Sequence, residues 1–241
     1  MVFDKFLLGR RRDQLSEGDI QALEHEAGPV RKLPPRSMLV REGDPVSVST
    51  YLIEGFMCRY KDDREGQRQI VAVHVPGDFV DLHAYPLKRL DHDVATLTTC
   101  RVAQIPHARL DDIMAQRPSM AKLLWFSTLL DAAMHREWIF RLGRLNALCR
   151  LGHFFCELES KLRVVGLSDG CKFELPMTQT DLAEACGITA VHVNRMAREL
   201  RERGMLRTQG NQVEILDREA LYRLSEFDPA YLFISSTGAE H

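Results

Sequence analysis

Arg195 stands in a segment whose side chains suit the reading of base edges. A guanidinium can donate two parallel hydrogen bonds to O6 and N7 of guanine. Ala190, Val191, His192, Asn194 and Arg198 share its side of a stretch with helical spacing. Small, amide, imidazole and cationic groups on one face are what a helix in a major groove presents. Val191 is suited to a thymine methyl. The opposite side repeats Val193, Met196, Ala197 and Leu200, which marks it as buried.

Two short helices and a hairpin must hold these groups. Thr178 is a good N-cap, and Asp181 sits where a capping box wants a carboxylate. Leu182, Ala183 and Cys186 form an apolar face. Gly187 follows at the break, where a left-handed backbone costs little. Thr189 caps the second helix and Gly204 ends it. Leu206–Gln209 and Gln212–Ile215 then read as a hairpin turning at Gly210. A plain helical hairpin with a solvated charged face is the competing reading, because Glu199 and Glu202 interleave with the arginines. The whole order of capped helix, glycine turn, cationic helix and wing favours DNA.

The chain has 241 residues and a net charge of −2. Bulk charge therefore cannot attract nucleic acid, and a local patch must do so. Between Gly187 and Gly210 lie five Arg and two Glu, which supplies one. No apolar stretch is long enough to span a bilayer, and the start MVFDKFLLGRRRDQ does not read as a secretory signal. A cytoplasmic location is expected, with no membrane partner. The six cysteines are scattered, with no Cys-x-x-Cys pair, so a zinc ribbon or clustered iron–sulfur motif is not expected. They read as buried free thiols.

Ahead of this module, Leu15 to Ala27 reads as a helix capped by Ser16. From Val30 to Ile105 short alternating runs follow one another. Gly43, Gly55, Gly66 and Gly77 punctuate them at intervals of twelve, eleven and eleven. That regularity suggests an antiparallel sandwich, barrel or roll. His107 to Gln116 is a short helix, and Pro118 opens a long one. Met120, Leu123, Leu124, Phe126, Leu129, Leu130, Ala133, Met134, Trp138, Ile139 and Leu142 spread over more than one face of it. A stripe that wide must pack on two surfaces, one the chain's own roll and the other the same helix of a second subunit. Leu130 is expected on that seam, and Gly143 marks a hinge. Leu145 to Leu162 is a further amphipathic helix.

These parts resemble, from about Leu15 to Ile215, the cyclic-AMP receptor protein / fumarate-nitrate reduction regulator family (CRP/FNR) of bacterial transcription factors. LAEACGITAVHVNRMARELRERGML carries the helix-turn-helix resemblance, and PGDFVDL resembles the start of the ligand cassette. The fold expected is α+β, with an N-terminal antiparallel β-roll resembling a cyclic-nucleotide-binding domain, a long dimerisation helix and a C-terminal winged helix-turn-helix. The expected domains are 1–117, 118–144 and 145–241. The resemblance implies a homodimer on a two-fold symmetric, palindromic operator in double-stranded DNA, with RNA polymerase a further candidate partner. The alignment and the helical spacing together assign Arg195, His192, Asn194, Ala190 and Val191 to the bases. They assign Thr178, Thr180, Thr189, Arg198 and Gln209 to phosphates, with Gln179 in the same contact set.

Departures from the family bear on the effector. Nucleotide-binding members follow Gly-Asp-Phe with Gly-Glu, and later with Arg-Ser or Arg-Thr to hold the phosphate. Here Gly77-Asp78-Phe79 runs into Val80-Asp81-Leu82-His83-Ala84, and the later segment Leu90-Asp91-His92-Asp93-Val94 holds no Arg-Ser or Arg-Thr. The resemblance places an effector pocket at Phe79, Asp81, Leu82, His83, Lys88 and Arg89. Tight cyclic-AMP binding is not expected, no cofactor is expected and the effector is unassigned. Where many members carry Arg-Glu early in the recognition helix, this chain has Ala190-Val191, so its operator should differ there. Two other readings compete. His74, His83 and His92, nine residues apart, could gather as a metal site in a cupin-like enzyme. The chain could also be a protein-interaction module with vestigial DNA binding.

Overall fold

The computed structural model describes residues 1–235 and divides into two compact units. The first comprises 1–61 and 72–132; the second comprises 62–71 and 133–241. The long helix therefore contributes residues to both, where the sequence suggested a separate segment at 118–144.

The first unit opens with an apolar run that the sequence left without a role. Phe3, Phe6 and Leu7 are buried in its core with Ile20 and Leu23. These last two come from helix α1 (Glu17–Glu26), which starts on a Ser16–Asp19 capping box. Phe3 lies 4.4 Å from the Tyr51 ring, and Tyr51 lies 5.3 Å from Phe79. Two sheets follow: this core packs on one of them through Tyr51 and Ile105, and a second cluster that includes Leu52, Val102, Met57 and Val94 draws on both. In one, the strands β1 (Arg31–Leu33), β7 (Cys100–Pro106) and β3 (Val48–Glu54) lie in that order. In the other, the order is β2 (Met38–Val40), β6 (Asp93–Thr96), β4 (Met57–Asp62) and β5 (Arg68–His74), of which residues 62 and 68–71 are counted with the second unit. The pairings of β1 and β3 with β7, and of β2 and β4 with β6, are antiparallel. Gly77 shows why glycine punctuates the strands. Its φ is +102°, and an added Cβ would come 2.7 Å from the Lys5 carbonyl oxygen. A short helix that periodicity did not suggest, α2 (Ala84–Leu87), follows the Gly-Asp-Phe turn. Helix α3 (His107–Gln116) and the start of α4 (Pro118–Arg144) close the core through Leu110, Ile113, Met120, Leu123 and Leu124.

The second unit is built on α5 (Ala147–Val164), which Asn146 caps. It contains α6 (Gln179–Cys186), α7 (Ala190–Glu202) and α8 (Arg218–Ser225). The wing has three strands rather than two: β8 (Lys172–Glu174) pairs with β10 (Gln212–Ile215), which also pairs with β9 (Leu206–Gln209). A tyrosine–carboxylate network underlies α5. Tyr231 donates to Glu157 at 2.6 Å and Trp138 donates to the other oxygen of that carboxylate at 2.9 Å. Among the described residues, five cysteines are buried and Cys171 is exposed. No helix among the described residues is long and apolar enough to cross a membrane.

Candidate nucleic-acid interface

The turn between α6 and α7 forms as its residues dictate. Thr178 and Asp181 make the full capping box, with Thr178 N–H donating to Asp181 at 2.7 Å. Gly187 caps α6 in the left-handed region at φ +61°. Thr189 then accepts from the His192 N–H and starts α7. Val193, Met196, Ala197 and Leu200 are buried along one side of α7. On the other side, Val191, Asn194, Arg195 and Arg198 are exposed, while Ala190 and His192 are half-buried. Thr178, Gln179, Thr180, Thr189 and Gln209 are exposed as well. The structure thus brings the eleven expected contact residues to α7, the N-terminal end of α6 and the wing.

Partners within the chain tune this face. Arg195 donates to His192 Nε2 at 2.7 Å, and Asn194 donates back to the Ala190 carbonyl at 3.2 Å. Three other arginines are engaged off the reading side: Arg201 with Thr208, Arg203 with Glu199 and Arg207 with Glu214. Hydrogen bonds of this exposed kind contribute little to stability and are easily exchanged for a phosphate or a base.

Sequence reasoning missed the groups that hold α6. Arg68, on the tip 62–71 that belongs to this unit, donates to Glu184 at 2.6 Å and to Asp181 at 3.2 Å. Arg141 is fully buried and donates to the Ala185 carbonyl at 3.1 Å, with its guanidinium 4.1 Å from the Trp138 ring. Arg150 donates to the Cys186 carbonyl at 3.4 Å. These pairs join residues 36 to 113 or more positions apart, and no local motif announces them.

The first unit holds a second buried polar cluster. Arg59 donates through Nε to the Val80 carbonyl at 2.7 Å and through Nη1 to Asp131 on α4 at 2.6 Å. His83 lies in this field, and its ring centroid is 5.1 Å from that of His92. Of the six residues expected to line an effector pocket, Asp81 and His83 both feel the Arg59 charge, and His83 that of Asp131 as well. Phe79 belongs to the aromatic core and Leu82 packs in the same cluster. Asp81 is fully buried and accepts from the Thr50 N–H at 2.6 Å; burial pushes its pKa up to about 6. Lys88 lies 4.7 Å over the Tyr85 ring, and Arg89 donates to the Gly43 carbonyl on the exposed edge. Among the described residues, no group of three or more His, Cys, Asp or Glu is arranged to hold a metal ion.

Residues 149–224 match a Crp-like helix-turn-helix domain, and residues 30–117 match a cyclic nucleotide-binding domain. The Anaerobic regulatory protein of Pasteurella multocida (strain Pm70) is 26% identical over 211 residues, covering 88% of this chain and 77% of the relative. The Fumarate and nitrate reduction regulatory protein of Escherichia coli (strain K12) is 24% identical over 211 residues, covering 88% and 84%. In fold, the chain is similar to FixK2 from Bradyrhizobium japonicum, with a TM-score of 0.76 at 23% identity over 84% of this chain and 98% of that one.

The histidine cluster carries a pH signature. Burial first, and then the neighbouring Arg59 charge, lower the His83 pKa to about 3. An unfolded histidine titrates near 6.5. A folded pKa below the unfolded one gives stability that is present above the unfolded value and fades as pH falls toward the folded one. The window here runs from about pH 6.5 down to about 3. His83→Gln is expected to remove up to about one proton's worth of slope from stability against pH in that window. Urea midpoints at pH 7, 5.5 and 4 measure it. If the wild type and H83Q lose stability in parallel, His83 is not held neutral by the fold.

Proposed function

The chain belongs to the CRP/FNR family of transcription regulators, and on that footing we propose that it works as a homodimer on a two-fold symmetric operator. Each protomer places α7 in a major groove. Arg195 reads a guanine; Val191, exposed to 81%, meets a thymine methyl. Ala190, His192 and Asn194 complete the base-facing set. Thr178, Gln179, Thr180, Thr189, Arg198 and Gln209 hold phosphates and set the register. The observation that carries this reading is the cationic, solvent-facing side of α7 beside a capped α6 and a wing. RNA polymerase is the further partner that a regulator of this family would meet on the promoter.

The dimer reading rests on what α4 leaves uncovered. Trp125, Leu129 and Ile139 are 66%, 52% and 72% exposed, and Phe140 is 40% exposed. Large apolar side chains at helical spacing on one long helix suit a second copy of that helix. Leu130, expected from the sequence on the seam, is instead buried in its own unit at 6% exposure. The exposed face that holds Trp125 and Leu129, not Leu130, is therefore the place to test it.

The β-roll is a cyclic-nucleotide-binding-like domain, and we propose that it does not bind cyclic AMP tightly. A phosphodiester enclosed by protein needs a charge-assisted partner. Arg59 already serves Asp131 and Val80, Lys88 lies on Tyr85, and Arg89 serves Gly43. Signalling, where an effector acts, runs along α4 toward Gly143.

Three measurements follow from this reading. Arg195→Ala is expected to cost about 1–3 kcal/mol on a duplex enriched by in vitro selection and to relax preference at one base pair per half-site. An unchanged ratio of specific to random binding would remove Arg195 from the bases. Leu129→Glu is expected to yield monomers by sedimentation and to lose operator affinity with them; a wild-type monomer at micromolar concentration contradicts the seam. Calorimetry with cyclic AMP should give no micromolar heat signal, and a micromolar dissociation constant would show that the cassette has been misassigned.

A further inference from the structure

Helix α6 is two turns long and carries two carboxylates, Asp181 in its first turn beside the residues proposed to meet phosphate and Glu184 in its second. Asp181 is 1% exposed and Glu184 is 18% exposed at the side chain. Asp181 uses Oδ2 for the Thr178 N–H and hydroxyl, at 2.7 Å each. Its other oxygen, Oδ1, takes Arg68 Nη2 at 3.2 Å. The same guanidinium gives Nε to Glu184 at 2.6 Å. One cation thus bridges both carboxylates. The neighbouring Gln69 amide donates to the Glu184 carbonyl on the same helix. Arg68 lies 113 residues before Asp181 in sequence, outside the helix-turn-helix motif.

We propose that Arg68 is a positioning residue for DNA binding, which acts by neutralising Asp181 and Glu184 on α6. The inference rests on the DNA-reading function proposed above. Without Arg68, Asp181 and Glu184 would lose the cation they share, next to residues proposed to meet a backbone that is itself anionic. Like charges at this range repel, and the repulsion is felt more where one of them is buried. The capping box would also lose its outer partner, so the Thr178 end of α6 would be less firmly placed against phosphate. Arg68 need not touch DNA for either effect. Its side chain is 27% exposed, and two of its nitrogens are directed at the carboxylates.

Charge variants separate this role from a plain structural tether. The probe is the duplex that wild-type protein enriches from a random pool, with a scrambled duplex as reference, both read by fluorescence anisotropy. R68A is expected to bind the enriched duplex about tenfold more weakly at low salt, with R68K close to wild type because the charge is kept. R68A/E184Q should bind more tightly than R68A, because one uncompensated carboxylate is gone. E184Q alone should bind at least as tightly as wild type. A tether predicts the opposite for the last two: E184Q would weaken binding as R68A does, and the double variant would gain nothing. If R68A melts, E184Q against wild type decides the matter in a folded protein, and a weaker E184Q overturns the proposal. R68A binding as tightly as wild type overturns it too, while leaving the DNA-reading function intact. Wild-type protein that enriches no duplex overturns that function and this inference with it.

Discussion

A two-turn helix cannot fix its own position. Isolated helices of that length are marginal in water, since nucleation costs more than a few hydrogen bonds return. In this protein α6 has eight residues, and the reading helix α7 is joined to it by a three-residue turn. Wherever α6 tilts, α7 follows. The fold meets this constraint by anchoring α6 at both ends with groups from elsewhere in its unit. The capping box and Arg68 hold the N-terminal end; Arg141 and Arg150 hold the last carbonyls. Cations at the C-terminal carbonyls also oppose the negative end of the helix dipole. Between these anchors, Leu182, Ala183, Ala185 and Cys186 pack into the core.

Gly187 shows how close this packing is. A Cβ there would meet Leu142 at 3.3 Å and the Arg150 guanidinium at 3.6 Å, besides needing a left-handed backbone. Arg141 reaches its carbonyl from α4, with its cation resting against the faces of Trp138 and Phe154. The first unit repeats the pattern with different residues: Arg59 on β4 joins the Val80 carbonyl to Asp131 on α4. In each unit a buried guanidinium ties α4 to a neighbouring element of that unit.

Much of this was legible in the sequence wherever the cause was local. Thr178, Asp181, Gly187 and Thr189 announce the helix-turn-helix because caps and left-handed glycines act within four residues. The even glycine spacing announced the roll for the same reason. What stayed hidden was non-local. Phe3 and Phe6 read as a short apolar start, and only the fold brings them to Tyr51 and Phe79. β8 and α2 are too short for periodicity to mark. The cations that hold α6 and the Arg59–Asp131 pair join distant positions, and a lone arginine in a polar stretch reads as solvated surface. The effector pocket suffered most: Lys88 and Arg89 follow the cassette in sequence, but a left-handed Lys88 ends α2 and Arg89 lies on an exposed edge.

Hydroxyl-radical footprinting on the enriched duplex tests the central claim most directly, because it reads symmetry and groove geometry together. Two chains reading successive major grooves on one face of DNA should protect two equivalent patches. These should be related by a two-fold axis and centred about 10 base pairs apart, one helical turn. A single asymmetric patch, or protection without a fixed position, would contradict a dimer that reads DNA through α7.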